Sequence, residues 1–499
     1  MDVCMRAMIE PVQEFGLCLK GILESRKISA SELARMMAYK SRNSIFRILD
    51  EESGESARHA FFSRFIEEDP LVLNEQERAA LEQALEVSRV GRRAFYSNRA
   101  MRELLMNGNG RRPEHPVRVD AFNTPEDPAF VRALDEMARC KTAYITITGC
   151  CDRAVFDALR ERIYKTDITC EVRVAHIIYT GEEEIVHNIS AIQPMLYCDC
   201  YRAYCLEPGT FSREREALYR QNVIYALMLD ANGNWYRHTL VLVDKGVLIP
   251  LPRVKGKKRD PFSRYFAEDI GRMPMLKMEI PGSGSMESYL EYTKSCQKLE
   301  QGRATYTIKL DLSLNCIHPD ILLPCVKEEF WAMAGEQAEA MKAEFLQTHL
   351  ERWENVFSKK KESHIVFSTK AMENFARTGM QSDHFFAIRA YTPNERVAIL
   401  TNLRDHMKGN SGFQIHFFKE SFEPPKTEIG LYEGVGTLMT KPYTNYDLTG
   451  DHTETIITKK EFCERYKEFY IRDLLARHVI SREETMAQMD RLIDIARNA

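Results

Sequence analysis

The sequence predicts a multidomain protein, with an all-α N-terminal domain and a helical connector followed by a large mixed α/β (α+β) body. Three observations carry that expectation. Apolar residues recur at helical spacing from Val12 to Leu105. Residues 107–118, NGNGRRPEHPVR, hold two Gly, two Pro and three Arg without any apolar period, as a linker does. From about Asp120 strand-like and helix-like runs alternate. At 499 residues the chain exceeds what one core can organise. The expected divisions are a helical domain over 1–70, a connector helix and linker over 71–118, an α/β domain over 119–280 and an α+β domain over 281–499.

Taken in order, Val12, Phe15, Leu17, Leu19, Ile22 and Leu23 mark a first helix. Ile28 to Leu49, ISASELARMMAYKSRNSIFRIL, reads as two short helices and a tight turn. Ser29 caps the first, and Glu32 completes a capping box. Leu33, Met36 and Met37 make its apolar stripe, and Ala34 leaves room for a crossing helix. Ala38-Tyr39-Lys40 breaks the pattern. Ser41 caps the second helix, in which Ile45, Ile48 and Leu49 point inward while Arg42, Asn43, Ser44 and Arg47 face out. Ala57 to Ile66 adds another core-facing helix. Asn74 and Glu77 form a second capping box; the helical pattern after it is interrupted at Ser88 but traceable past Gly91 to Leu105.

In the body, Ala143–Thr148 and Cys170–Tyr179 read as strands and Asp152–Ile163 as a helix. Val186 to Tyr204 looks helical apart from Pro194, with Tyr197, Tyr201 and Tyr204 at i, i+4, i+7 on one face. Val223–Leu229, Trp235–Val243 and Val247–Leu251 form a meander, turned at Asn232-Gly233 and Asp244-Lys-Gly246. A helix at Met286–Leu299, a strand at Ala304–Leu310 and a charged helical region at Ala332–Phe357 follow. Gly430–Met439 and Thr453–Thr458 add strands. Phe462–Leu475 and Ser481–Ala496 close the chain as helices, the second opened by a Ser481/Glu484 capping box. No internal repeat of fixed period is visible.

Composition narrows the function. Hydrophobic residues at 44% and charged residues at 28% are those of an ordinary globular protein. No apolar run is long enough to span a membrane, and the N-terminus lacks the form of a secretory signal, so a cytoplasmic location is expected. The thirteen cysteines contain no C-x-x-C pair, which disfavours a structural metal knuckle and points to reduced, buried thiols. Neither phosphate-binding glycine loops nor metalloprotease or nucleophile-elbow motifs occur; no metal, cofactor or catalytic residue is assigned. The net charge is −4, yet the segment from Lys20 to Arg47 carries seven basic residues against two acidic ones. A basic island in a mildly acidic chain is the footprint of local phosphate binding.

Leu33-Ala34, Ser41 and Arg47 resemble the phage-repressor and Cro-type (XRE-like) helix-turn-helix regulators over roughly residues 15–65. In that family a Leu-Ala pair on the supporting helix precedes a turn and a Ser- or Thr-opened recognition helix with an Arg near its end. Ala38 stands where the family habitually has Gly, and the turn is one residue longer. The resemblance implies a bacterial, sequence-specific DNA-binding transcriptional regulator acting on double-stranded DNA as a homodimer. Arg42, Asn43, Ser44 and Arg47 would enter the major groove; Lys40, Ser41 and Arg35 would hold the phosphate backbone. The body would then sense an effector ligand or protein, or serve assembly.

A second stretch, His238-Thr-Leu-Val-Leu-Val-Asp244, is similar to the phospholipase D-type motif, in which His, Lys and Asp act on a phosphodiester. Leu240 occupies the Lys position, the His-to-Asp spacing is one residue short, and no second copy follows. That likeness implies a phosphodiesterase, active or remnant, as an alternative. A non-catalytic assembly or interaction protein is the third.

Overall fold

The computed structural model describes residues 14–39, 41–106, 132, 134–137, 139–149, 153–165, 171–181, 184–196, 198, 200–243, 247–250, 254–255, 266, 268–280, 286–359, 361–381, 387–422, 425, 427–440 and 454–499. They fall into two compact units: the described residues up to Arg99, and those from Ala100 onward. The N-terminal unit is helical and the second is a mixed α/β body, as the sequence predicts.

The first unit contains α1 (Phe15–Ser25), α2 (Ala30–Met36), α3 (Arg42–Leu49), α4 (Glu55–Glu68), α5 (Glu75–Val90) and the start of α6 (Arg92–Met106). One apolar cluster joins them, built from Phe15, Leu19, Leu33, Ile45, Phe61, Phe65 and Leu81 among others. Both expected capping boxes form, Ser29 with Glu32 and Asn74 with Glu77. The pattern traced through Gly91 is two helices, because Gly91 takes φ +82° and ends α5 there. Ser88 does not weaken α5's packing. Its hydroxyl accepts the Phe15 N–H at 2.8 Å and donates to Glu51 Oε1 at 3.2 Å, fastening α5 to α1. Leu81 and Ala84 of α5 therefore lie in the core of this first unit. Leu17 and Met36, expected in the apolar stripes, face solvent instead.

The body opens with β1 (Thr142–Thr148), α7 (Arg153–Lys165), β2 (Glu171–Tyr179), α8 (Ile185–Leu196) and β3 (Tyr201–Leu206). The helix expected over 186–204 thus stops at Leu196, and Tyr201 and Tyr204 sit on a strand. After α9 (Arg213–Tyr219) come β4 (Val223–Leu229), β5 (Trp235–Val243), β6 (Val247–Pro250) and β7 (Val254–Lys255). The β4–β5 hairpin closes as expected: Asp230 accepts the Asn232 and Asn234 N–H groups at 2.9 and 2.8 Å, and Gly233 takes φ +79°. The Asp244-Lys-Gly246 turn lies outside the described residues.

The second half runs β8 (Lys277–Ile280), α10 (Met286–Glu300), β9 (Thr305–Lys309), α11 (Ala338–Val356), β10 (Ser363–Phe367), α12 (Thr369–Thr378), α13 (Pro393–Gly409) and β11 (Phe413–Phe417). Then follow β12 (Glu428–Tyr432), β13 (Gly436–Thr440), β14 (Glu454–Ile457), α14 (Lys460–Phe469), a π-helical stretch Tyr470–His478 and α15 (Arg482–Asn498). The single strand expected over 430–439 is a hairpin, turned at Gly434 with φ +80°. The Ser481/Glu484 box forms, and Thr392 with Glu395 makes another that the pattern did not reveal.

The strand orders are β3-β2-β1-β4-β5-β6 in one sheet and β11-β10-β9-β12-β13-β14-β8 in the other. In each, three parallel strands continue into an antiparallel meander: β1 and β9 are the parallel starting strands, and β4 and β12 pair antiparallel to them. The same arrangement occurs twice, a duplication absent from the sequence pattern.

One face of each sheet enters a common core, with Ile145, Val174, Ala203 and Ala226 from the first and Tyr306, Ile308, Val366 and Met439 from the second. Helix α8 packs on β2, α14 packs on β12 and β13, and the two helices touch. The end of α6 joins this core through Met101, Leu104 and Leu105. Nearby, Asp473 pairs with Arg102 at 2.8 Å and Arg477 at 2.9 Å. Burial opposes its ionisation, but the hydrogen bond with His478 and the Arg102 charge outweigh that and hold the carboxyl below its ordinary value.

The α1–α3 crossing has no room for a side chain at Gly16, where a Cβ would stand 2.2 Å from the Leu49 carbonyl oxygen. Gly16→Ala is expected to destabilise the N-terminal unit by about 1–3 kcal/mol through this clash, read by denaturant unfolding. An unchanged midpoint would mean that the two helices part at no cost.

Candidate nucleic-acid interface

The turn between α2 and α3 is closed by backbone geometry. The Ala38 N–H donates to Arg35 O at 3.1 Å and the Tyr39 N–H to Ala34 O at 2.8 Å, the paired bonds of a Schellman C-cap. Ala38 itself takes φ +50°, the left-handed conformation that glycine adopts with least strain. So the position where the resembled family has Gly keeps the conformation without the residue. Tyr39 then anchors the turn, its ring 6.0 Å from Phe61 and beneath the Arg64 guanidinium at 5.4 Å. Lys40 lies outside the described residues.

Ser41 caps α3, its hydroxyl accepting the Asn43 N–H at 3.2 Å. Ile45, Ile48 and Leu49 are buried against Leu33, Ala34 and Met37 of the supporting helix. That burial sets the rotation of α3 about its axis, and the opposite side must face water. Arg42, Asn43, Ser44 and Arg47 are all exposed there, as is Arg35 at the end of α2. Asn43 and Arg47 are four apart, one above the other. Arg47 Nη2 lies 3.4 Å from the Glu52 carbonyl oxygen in a weak contact.

Two features were not apparent from residue spacing. Phe46, 43% exposed, shares the outward face with Arg42 and offers an apolar surface of the kind that meets a thymine methyl. The local positive charge is also smaller than a count implies. Lys20 pairs with Asp50 at 2.6 Å and Arg26 with Glu77 at 2.5 Å, so these two cations are held within the protein. On α2, the Ser29 N–H and hydroxyl bind Glu32 and hold its carboxyl below the usual range.

On the His238 strand, register decides which residues face the core. His238 pairs across β5–β4 with Ala226, which in turn pairs with Ile145, both part of the apolar core. Leu240, two residues on and therefore on the same face, is fully buried in that core. Apolar packing thus occupies the position of the motif's lysine. Asp244 lies outside the described residues. The topological counterpart of β5 is β13, Gly436-Thr-Leu-Met-Thr440, which carries no histidine.

The aromatic trio does not form a pocket face. Tyr201 and Tyr204, three apart on β3, enter different apolar clusters, and Tyr197 is outside the described residues. The nine described cysteines are thiols, not disulfides. Burial pushes the Cys205 thiol up to about 12, as for an unreactive core residue. Among the described residues no group of three or more His, Cys, Asp or Glu is placed to hold a metal ion. Nor is any described helix long and apolar enough to cross a membrane.

No protein-family model matches the chain, and no curated protein matches it. Among solved structures it is similar to the phosphatidylserine synthase of Haemophilus influenzae Rd KW20, at 11% identity over 73% of this chain and 91% of that one, with a TM-score of 0.22.

The strained turn makes a direct prediction. Ala38→Gly is expected to raise the stability of the N-terminal unit by roughly 0.5–1 kcal/mol, because glycine removes the Cβ conflict of the left-handed conformation. A lowered unfolding midpoint would show that Ala38 is not strained.

Proposed function

We propose that the protein binds double-stranded DNA sequence-specifically through α3 and acts as a transcriptional regulator. The observation that carries this is the outward face of α3: Arg42, Asn43, Ser44 and Arg47 exposed on one short helix whose other side is locked into the core. A guanidinium suits the N7/O6 edge of guanine and a carboxamide the N6/N7 edge of adenine, both in the major groove. Ser41, Arg35 and Lys40 are assigned to phosphates at the helix start and beside it. A head this small covers a half-site, so the proposal includes a homodimer presenting two α3 helices to a two-fold operator. The body is assigned a sensing or assembly role; an effector acts by binding one arrangement of the paired heads better than another.

The test is binding of a genomic fragment selected by the full chain, compared with a random duplex at fixed salt. Arg47→Ala is expected to weaken specific binding by ~1–3 kcal/mol while leaving the unfolding midpoint in place. Equal affinity of the wild-type protein for selected and random duplexes would overturn the proposal.

A second reading of the body is a phosphodiesterase of phospholipase D type, and the strand order that contains β5 recurs in the second sheet. In it, His238 attacks a phosphodiester. Purified protein would then hydrolyse a generic diester, and His238→Ala would abolish the reaction. Wild-type inertness rejects that reading and leaves β5 as structure.

A further inference from the structure

We infer that the outer face of the second sheet holds a binding site for a small anion bearing a carboxylate or phosphate group, with Lys361 as its counter-charge. Side chains alternate between the two faces along β9. Tyr306 and Ile308 point into the core shared by the two sheets, so Thr305, Thr307 and Lys309 point the other way. There they line a cavity of about 50 Å³, closed by α10 and α11. Ser363 of β10 and Glu428 of β12 complete its floor, and Glu300, Asn315 and Arg352 its walls. A sheet face packed under helices is ordinarily apolar, and placing hydroxyls and charges there is costly unless they are satisfied or used. One water needs roughly 10–15 Å³ of such space, so this cavity admits a group of a few heavy atoms.

The charges do not balance. Glu428 accepts from Lys309 Nζ at 2.7 Å and from the Leu310 N–H at 2.9 Å. Glu300 receives Arg352 through two bonds of 3.0 and 2.8 Å and the Asn315 amide at 2.8 Å. Each carboxylate is thus matched to one cation. Lys361 is the third cation; its ammonium donates to the backbone carbonyl of Glu300 at 2.9 Å, and no described carboxylate forms an ion pair with it. Burial draws the amine down to about 8, so it is still largely protonated at neutral pH. The cavity therefore holds a net positive charge beside the hydroxyls of Thr305, Thr307 and Ser363. The Thr305 and Ser363 hydroxyls bond each other at 2.9 Å and the Thr307 hydroxyl donates to the His364 carbonyl at 3.3 Å, so one hydroxyl of the Thr305–Ser363 pair keeps a proton for an anion, which supplies the counter-charge to Lys361.

The test is thermal unfolding of the full chain in chloride, phosphate and acetate at matched ionic strength. A saturable rise in midpoint with phosphate or with acetate, absent in chloride, is expected; which of the two acts identifies the group. Anion at 100 times its Kd should shift the folding equilibrium by about 100-fold. Lys361→Met should abolish the rise and Ser363→Ala should weaken it, while Lys359→Met, at an exposed neighbour, should keep it. Identical midpoints in the three salts, or a rise that never saturates as general salting-out gives, would overturn the inference. So would an undiminished rise in both Lys361→Met and Ser363→Ala.

Discussion

The body depends on one constraint: two mixed sheets bury a face in the same apolar core. Every side chain on β1, β9 and their neighbours is sorted by that requirement, because successive residues of a strand point to opposite faces. On β9 it sends Tyr306 and Ile308 inward and leaves Thr305, Thr307 and Lys309 on the far side. On β5 it draws Leu240 into the core and places His238 on the same face. Both the polar cavity and the burial of Leu240 at the position of the motif's lysine follow from this sorting. A phosphate-binding lysine at position 240 would have to lie in the place of a fully buried leucine, at the desolvation cost of an unpaired charge.

The N-terminal unit obeys an analogous rule in helical form. Ile45, Ile48 and Leu49 fix how α3 is rotated, and the Schellman bonds at Ala38 and Tyr39 fix the angle at which it leaves α2. Together they decide that Arg42, Asn43 and Arg47 are presented and not buried. Ala38 accepts a left-handed backbone to achieve it, a local strain held by the Tyr39 contacts with Phe61 and Arg64.

Much of the helical unit was legible in the sequence, since its signals are local. Capping boxes at Ser29 and Asn74 and the spacing of Ile45, Ile48 and Leu49 involve residues within a turn or two of each other. Sequence pattern and structure part where a distant partner decides. Ser88 reads as a break in an apolar stripe, but its hydroxyl serves the Phe15 N–H, 73 residues away. Tyr201 and Tyr204 fit a helix by spacing, yet β2 offers a parallel edge with which residues 201–206 pair. The positive charge of Lys20 and Arg26 was legible, but the pairing with Asp50 and Glu77 that restrains it was not. Phe46, an exposed aromatic on a short helix, leaves no periodic signature in the sequence.

By itself, then, the sequence determined the sequence-local features: the helical start, the linker composition, the caps, the β4–β5 turn and the outward row on α3. These depend on backbone preferences and on neighbours a few residues apart. Only the tertiary structure decided the repeated strand order of the two sheets, their common core, and the meeting of Glu300, Arg352, Lys361, Lys309 and Glu428 around one cavity. Those residues come from α10, β9, α11, β12 and the approach to β10, spread over more than a hundred positions. Pairing of that range is set by sheet register and by which faces must be dry, and neither leaves a period in a single chain.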